Sequence, residues 1–232
     1  MAVRDFRGSA IADNVARVRE RMAAAATRAG RDVGDVTLVA AAKQKDATLV
    51  EAALNNGVTD IGENYVQEAM AKRSAVKGRP RWHLIGHLQR NKAARALEVF
   101  DVIQTVDSLA LGIALDRHAA ARGRRLPILV EVKLAAEATK SGVAPDALLV
   151  LVDGLRKLPS LALEGLMTVP PVGTAEAARP YFRRLRALRD QLGLRQLSMG
   201  MTDDFEVAIE EGATIVRIGR AIFGPRRADP NH

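Results

Sequence analysis

Strand-like and helix-like segments alternate along this whole sequence, and that alternation restricts its fold more than any other feature. Short runs of apolar and β-branched residues are each followed by a segment in which apolar residues recur every three to four positions. Such repetition implies parallel strands that are joined by helical crossovers. The eight predicted strands span residues 36–43, 60–64, 82–87, 102–107, 127–133, 163–169, 196–201 and 214–219.

Seven helices are predicted between or after these strands, and an opening helix over 11–29 precedes the first strand and stops at Gly30. Eight strand–helix units close naturally into a (β/α)8 barrel. We therefore predict an α/β fold, a single-domain (β/α)8 TIM barrel with an extra N-terminal helix. The seven helices span residues 48–56, 65–76, 91–99, 108–122, 145–157, 175–192 and 205–211.

An open, doubly wound sheet is the alternative architecture, and glycine placement argues against it. Its first strand would be expected to lead into a glycine-rich turn, whereas no glycine follows the 36–43 run until Gly57. No segment rich in Pro, Gly or Ser divides the chain. We expect one domain over 1–232, with a core of about 8–226 and a short polar tail at 227–232.

Composition narrows the classes of function. Lys and Arg total 35 against 27 Asp and Glu, so the net charge of +8 attracts anions in general. Nucleic acid is not the expected partner, because aromatic residues make up only 3% and no long basic tail is present. With no cysteine, no apolar stretch near 18 residues and no apolar leader, we expect a cytoplasmic chain without a membrane span.

The chemistry of such barrels lies at the C-terminal ends of the strands. Polar residues at these ends are therefore the candidates for the functional site. They are Lys43, Glu63, Asn64, His83, His87, Asp107, Glu131, Lys133, Thr168, Ser198 and Arg217.

Lys43 is the most unusual candidate, because it closes a run of small apolar residues in a chain with 8 lysines and 27 arginines. A partly desolvated lysine can lose its proton and form an imine, which arginine cannot do. From the residues alone, a surface lysine that merely ends a strand is the other interpretation. Lys45 could share either role, or lower the pKa of Lys43 as a nearby cation.

A second group of candidates follows the last two strands, where barrels often bind phosphate through backbone N–H groups. We expect a phosphate to rest on Ser198, Gly219 and Arg220, although turn chemistry alone would also explain Gly and Ser here. Asp203 and Glu206 predict a capping box at the next helix, and these carboxylates would repel a phosphate at that helix start.

Other chemistries find less support in the residues. His83 and His87 lie on a predicted strand and lack the zinc-helix pattern, so no metal site is expected. Ser198 has no evident His or Asp partner for a hydrolase triad. Arg217 could bind a ring nitrogen or an anion, or form an ion pair. Glu63, Asp107 and Glu131 could be carboxylates at the barrel mouth, or partners of Lys43 and Lys133.

With these residues in view, the chain resembles the pyridoxal 5′-phosphate (PLP) homeostasis proteins, the YggS/PROSC family, whose barrel is of the alanine racemase N-terminal type. The resemblance runs in family order from about residue 8 to 226. The matching segments are 38–45 (LVAAAKQK), 61–68 (IGENYVQE), 82–92 (WHLIGHLQRNK), 139–142 (TKSG), 164–168 (EGLMT), 197–201 (LSMGM) with Asp203 and Asp204, and 216–224 (VRIGRAIFG).

The resemblance implies PLP as the cofactor, held as a Schiff base on Lys43. Asn64 would lie beside the ring, and Arg217 would face the pyridine nitrogen. The phosphate would be held by Ser198, Gly219 and the backbone of Arg220. Met199, Gly200 and Met201 would form the wall of the site.

Three departures from the family pattern bear on these roles. Arg220 stands where the family often has a hydroxyl residue, so only its main-chain contact is carried over. Thr202 replaces the serine that often follows the SMGM motif. The hydroxyl residues that commonly flank the lysine are Ala42 and Gln44 here, whereas Lys43 itself is kept.

The implied role is intracellular PLP homeostasis, with effects on amino-acid metabolism and without efficient catalysis of its own. A small PLP-dependent amino-acid racemase is the alternative. Racemases use a second, β-rich domain that supplies a tyrosine, and we expect no such domain in this chain. PLP-dependent apo-enzymes are expected as acceptors, and the protein as a monomer. Whether Lys133 or Lys140 forms a second aldehyde site is left open.

Overall fold

Eight parallel strands close into one barrel, in the order in which they occur along the chain. The computed structural model describes residues 2–135 and 141–225, so residue 226, the predicted tail at 227–232 and Lys140 lie outside the described residues. The predicted (β/α)8 fold is confirmed. The strands are β1 (Thr37–Ala41), β2 (Asp60–Glu63), β3 (Arg81–Leu84), β4 (Val102–Val106), β5 (Leu126–Glu131), β6 (Leu161–Met167), β7 (Gln196–Ser198) and β8 (Ile215–Ile218).

Helices follow the strands and cover the outside of the barrel, as expected for crossovers between parallel strands. The α-helices of the described residues are α1 (Ala2–Arg28), α2 (Ala47–Asn55), α3 (Val66–Ala75), α4 (Ala93–Val99), α5 (Leu109–Ala120), α6 (Leu148–Arg156), α7 (Ala175–Gln191), α8 (Phe205–Glu210) and α9 (Arg220–Phe223). In the described part of the chain, no helix has the length and apolar character of a membrane span.

The extra N-terminal helix is present, and it is longer than predicted. Its buried residues Ile11, Val15 and Val18 recur at helical spacing, which is why the apolar pattern located the helix only from residue 11. Helix α1 packs against α2, α8 and α9. It ends next to Gly30, whose φ of +64° lies in the left-handed region that terminates helices.

The apolar core has two parts. The larger part fills the layer between the strands and the helices. The smaller part contains buried residues from β1, β4, β5, β6 and β8, and residues from such distant strands can meet only inside the barrel. This interior group consists of Val39, Val102, Leu129, Met167 and Ile215.

The strand ends that carry the candidate residues are shorter than predicted. Strand β7 ends at Ser198 instead of residue 201, because Gly200 has a φ of +92° that leaves the β region. A Cβ atom at Gly200 would lie 2.5 Å from the Cβ of Ala208, so only glycine allows the chain to turn against α8 here. The short helix α9 directly after Gly219 was not among the predicted helices.

We predict that Gly165→Ala strongly destabilises the barrel. A Cβ atom at this position of β6 would lie 2.0 Å from the carbonyl oxygen of Gln196 on β7, which forces two paired strands apart. Overpacking of this kind should lower the free energy of unfolding by about 3 kcal/mol, as measured by urea denaturation.

The matched control is Gly173→Ala, whose Cβ atom would meet Ala177 at an ordinary 3.5 Å. This control should unfold at nearly the same urea concentration as the parent chain. Equal stability of the two alanine variants would contradict the close approach of β6 and β7.

Candidate functional site

The segment that carries Lys43 and the loop that begins at Gly219 meet at the C-terminal rim of the barrel. Ala40 of β1 pairs with Ile218 of β8, so the residues that follow these positions leave the barrel side by side. A Cβ atom at Gly219 would lie 3.2 Å from the carbonyl oxygen of Ala41. The half-buried Lys43 is two residues further along. Barrel closure therefore brings together the candidate amine and the candidate phosphate loop.

Hydrogen bonds fix the backbone on both sides of Lys43. The N–H of Ala42 donates to the carbonyl oxygen of Gly62 at 2.9 Å, and the N–H of Lys45 donates to that of Ala42 at 3.0 Å. Gln44 has a φ of +60°, a left-handed conformation that is uncommon for residues other than glycine. Its N–H donates to Oε1 of Glu68 at 2.5 Å. The lysine therefore sits in a tight turn of defined shape.

A buried lysine that the sequence analysis missed lies beneath this turn. Lys72 on α3 is only 7% exposed. Its Nζ donates to the carbonyl oxygen of Ala42, to Oε1 of Glu63 and to Oε1 of Glu68, each at 2.6 Å. The partner of Glu63 is therefore Lys72. The sequence analysis had considered only Lys43 and Lys133 as partners for the carboxylates at this rim. The four-residue spacing between Glu68 and Lys72 was the available sequence signal, since residues i and i+4 share a helix face.

Asn64 follows β2 and lies close to the chain after β3. A Cβ atom at Gly86 would lie 2.5 Å from the carbonyl oxygen of Asn64, so the two segments touch through their backbones. The carbonyl oxygen of Gly86 in turn accepts a hydrogen bond from Thr105 Oγ1 at 2.8 Å. The contacts hold Asn64 at the same rim as Lys43. Its expected place beside a cofactor ring stays a prediction.

Arg217 lies inside the barrel, where it is only 3% exposed. Its Nη1 donates to Oγ of Ser198 at 2.6 Å, and its Nη2 donates to the carbonyl oxygen of Thr168 at 3.0 Å. Burial lowers the pKa of Arg217 to about 10, although the negative charges of Asp204 and Glu131 oppose this effect. The guanidinium therefore remains a cation at neutral pH.

Hydrogen bonds continue from Ser198 through the barrel interior. Ser198 Oγ donates to Oε1 of Gln104 at 2.5 Å, and Nε2 of Gln104 lies 2.9 Å from Nδ1 of His83. Nε2 of His83 lies 2.8 Å from Oδ1 of Asp60 at the start of β2. We call this series, from Asp60 through His83, Gln104 and Ser198 to Arg217, the interior chain.

The charge of Asp60 sets the direction of the hydrogen bonds from His83 to Ser198, whereas the bond from Arg217 to Ser198 has a fixed direction because a guanidinium can only donate. Burial would raise the pKa of Asp60, but hydrogen bonds from His83 and Thr59 outweigh burial, and the pKa is lowered. The ionised carboxylate accepts the proton on Nε2 of His83, which leaves Nδ1 to accept from Gln104. The Ser198 proton is then committed to Gln104. Ser198 thus supports Arg217 here, and its expected phosphate contact stays a prediction.

Hydrogen bonds hold the loop after β7 against strand β8 and helix α9. The N–H of Arg217 donates to the carbonyl oxygen of Gly200 at 2.9 Å, and the N–H of Ala221 donates to Oγ1 of Thr202 at 3.4 Å. Met199 is fully buried, whereas Met201 is 37% exposed. The chain therefore runs from the core to the surface over Met199, Gly200 and Met201. Their expected role as the wall of the site stays a prediction.

The predicted capping box at α8 is wrong. Asp204, not Asp203, directly precedes the helix, and its Oδ1 accepts from the N–H of Met201 at 2.6 Å. Asp203 instead forms an ion pair with Arg220, and Glu206 pairs with Arg21 of α1 at 3.0 Å. The pairing engages the Arg220 side chain, and the expected contact between its main chain and a phosphate stays a prediction.

Lys45 occupies a different place from Lys43. Its Nζ donates to the carbonyl oxygens of Phe223, Gly224 and Pro225, at 3.2, 3.2 and 2.8 Å. Carbonyls at a helix C-terminus attract a cation, and these follow the short helix α9. Lys45 thus joins the turn that carries Lys43 to the far end of the loop that begins at Gly219.

Acidic residues gather after β4 and β5, around the rim from Lys43. Both carboxylate oxygens of Glu131 accept from Ser141 Oγ, at 3.0 and 3.1 Å. Burial raises the pKa of Glu131, and the negative charge of Asp107 acts in the same direction. Asp107 itself lies 3.4 Å from His87. Among the described residues, no three His, Asp or Glu side chains are grouped as they would be around a metal ion.

Comparisons with known proteins agree with this geometry. The family described as "Alanine racemase, N-terminal domain" matches residues 8–227. The "Pyridoxal phosphate homeostasis protein" of Pseudomonas aeruginosa is 44% identical and covers 94% of this chain and 96% of its own. The protein of the same name from Aquifex aeolicus is 41% identical, over 93% of this chain and 98% of its own length.

A solved structure shows the same relationship. PipY of Synechococcus elongatus, determined with PLP bound, is 35% identical and superposes with a TM-score of 0.83, covering 92% of this chain and 100% of its own. The barrel and its rim define a chain of the alanine racemase N-terminal class. Within that class, the chain belongs to the family of pyridoxal phosphate homeostasis proteins.

We predict that Glu63 makes stability depend on pH. Burial raises the pKa of Glu63 to about 7, even though Lys72 favours the ionised form. The folded chain therefore holds a proton that the unfolded chain releases near pH 4.5, and stability from this group is lost as the pH rises from about 4.5 to 7. The difference between the pKa of Glu63 in the folded chain and that in the unfolded chain corresponds to about 3 kcal/mol of stability.

Glu63→Gln removes this titration and keeps an acceptor for Lys72. Relative to the parent chain, its free energy of unfolding should be about 2–3 kcal/mol more favourable at pH 8 than at pH 5, measured by denaturation at both values. Glu98→Gln, at an exposed position of α4, is the control and should show no such pH dependence. The same difference at both pH values for Glu63→Gln would show that this carboxyl is ionised throughout.

Proposed function

We propose that this protein binds PLP as a Schiff base on Lys43 and serves intracellular PLP homeostasis and amino-acid metabolism. The observation that carries the proposal is the contact between the Lys43 turn and the Gly219 loop at one rim of the barrel. The names of the relatives and the PLP in PipY supply the identity of the ligand. The proposal assigns the site to one domain, with a core of about 8–226.

The residues of the rim fit PLP at each of its functional groups. Lys43 offers an amine to the aldehyde, and the buried cation of Arg217 offers a donor to the ring nitrogen. Gly219 lacks the Cβ atom that would crowd Ala41, so its backbone and that of Arg220 are accessible to a phosphate. Asn64 would lie beside the ring, and Met199, Gly200 and Met201 would form the wall of the site. Ser198 would contact the phosphate in addition to Arg217.

Arg217 also favours binding without efficient turnover. When bound, PLP acts as an electron sink, and a protonated pyridine nitrogen strengthens that property. A neighbouring guanidinium disfavours a second positive charge, so Arg217 keeps this nitrogen unprotonated. Its hydrogen bonds to Ser198 and Thr168 hold the cation in place. We propose in addition that the protein is cytoplasmic and monomeric and that it passes PLP to acceptor apo-enzymes.

We predict that Lys43→Ala abolishes imine formation with PLP. The parent chain should show imine absorbance, and borohydride reduction followed by mass mapping should place the adduct on Lys43. Lys77→Ala, at an exposed position after α3, is the matched control and should keep both the absorbance and the adduct. An adduct that maps to Lys133 or Lys140, or an unchanged imine in Lys43→Ala, would disprove the assignment.

We predict that Gly219→Ala weakens recognition of the phosphate more than recognition of the aldehyde. The added Cβ atom would lie 3.2 Å from the Ala41 carbonyl oxygen, so the chain here must move by a few tenths of an ångström, which would displace the N–H groups that we propose to hold the phosphate. Loss of one charge-assisted hydrogen bond corresponds to about tenfold in affinity. The affinity for PLP should fall by about that factor, while that for pyridoxal, which lacks the phosphate, should change little.

Gly173→Ala serves again as the control and should bind both aldehydes like the parent chain. Equal losses for PLP and pyridoxal in Gly219→Ala would place the phosphate elsewhere. Incubation of the loaded protein with L-amino acids tests the proposed lack of efficient catalysis. Rapid appearance of D-amino acids would favour the racemase alternative.

A further inference from the structure

The three protons of the Lys72 ammonium are matched by three acceptors around it. The carbonyl oxygen of Ala42 and one oxygen each of Glu63 and Glu68 lie 2.6 Å from Nζ. Every proton of the ammonium thus has an acceptor, and the nitrogen keeps no lone pair for attack on an aldehyde. Lys72 is therefore suited to hold other groups in place and unsuited to carry PLP itself.

Lys72 and its partner Glu68 each contact one of the two peptide units on either side of Lys43. Lys72 binds the carbonyl group of Ala42, which belongs to the peptide bond that enters Lys43. Glu68 accepts the N–H of Gln44, which belongs to the peptide bond that leaves it. Lys72 and Glu68 are bonded to each other at 2.6 Å and lie one turn apart on α3. Both bonds therefore converge on a single rigid helix.

The turn needs such support. Gln44 adopts a φ of +60°, which a non-glycine residue keeps only where the surroundings enforce it. The support also has a cost, because Glu63 is fully buried and its Oε2 has no hydrogen-bond partner in the described residues. Buried ion pairs are weak evidence for stability, since apolar residues of similar size often serve as well. A role in positioning accounts for both features.

We propose that Lys72 and Glu68 are positioning residues that hold the Lys43 turn, and with it the Lys43 amine, in the geometry that PLP requires. The proposal rests on the proposed function for its ligand. Lys72 orients the peptide before Lys43, Glu68 orients the peptide after it, and the hydrogen bond to Glu63 fixes the position of the Lys72 side chain. All of these contacts are made between residues of the chain itself.

The first test measures the turn in the protein without PLP. In Glu68→Ala, the Gln44 amide loses its acceptor, and its hydrogen exchange, followed by NMR, should become about tenfold faster. Glu68→Gln retains an acceptor oxygen and should restore much of the protection. Lys72→Met should also accelerate this exchange, whereas Lys77→Met, a lysine exposed on the surface, should leave it unchanged.

The second test measures the reaction of the turn with PLP. Lys72→Met and Glu68→Ala should form the imine about tenfold more slowly, well within the hundredfold that a displacement of 1 Å can cost. The rate of imine formation in Glu68→Gln should lie between the rates of these two variants and that of the parent chain. Leu115→Ala, which leaves a cavity under α5, lowers stability without touching the turn and should keep the parent rate.

The outcomes separate this inference from the function on which it rests. If the parent chain forms no imine on Lys43, the proposed function fails, and hydrogen exchange at Gln44 still decides whether the turn is held as described. If the parent chain forms the imine and Lys72→Met and Glu68→Ala match its exchange and imine rates, the positioning role is disproved. Should Lys72→Met not fold, the comparison of Glu68→Ala with Glu68→Gln decides.

Discussion

Pairing between the first and last strands is the constraint on which the whole site depends. The candidate amine and the candidate phosphate loop lie near opposite ends of the sequence, and they become neighbours only because Ala40 pairs with Ile218. A barrel has a fixed number of strands at a fixed tilt, so closure at this seam leaves little freedom in how the two ends meet. Lys45 strengthens the seam, since it joins the turn beside Lys43 to the end of α9.

Different kinds of interaction stabilise the residues that follow β1 and those that lie on β8. On the β1 side, a buried ammonium and two carboxylates hold the backbone around Lys43. On the β8 side, the Arg217 cation is held by the hydroxyl of Ser198 and the carbonyl of Thr168. Both sides place charge in a region of low polarity, where each hydrogen bond is strong and each unpaired group is costly. The rim is therefore organised by hydrogen bonds and ion pairs within the chain itself.

Much of the fold follows from short-range signals in the sequence. Apolar periodicity located all eight strands, and the polar residue after β1 located Lys43, because these signals depend on one element at a time. The contacts of Lys72 with Ala42 and Glu63, and those of Gln104, could not be found in this way, since each depends on the register between separate elements. The capping box failed for the same reason. Asp203 has the right spacing to Glu206, but Arg220, which lies beyond the next strand, competes for its carboxylate.

The interior chain connects the two faces of the barrel, and this connection has a consequence for how sequence variation is interpreted. Asp60 starts β2, on the underside of the barrel, yet its negative charge fixes which way the hydrogens point as far as Ser198, next to Arg217. An amino-acid change at Asp60, on the underside, would therefore reverse or break the alignment of hydrogen bonds that reaches the neighbour of Arg217. The surroundings of this buried cation thus extend through the full depth of the molecule.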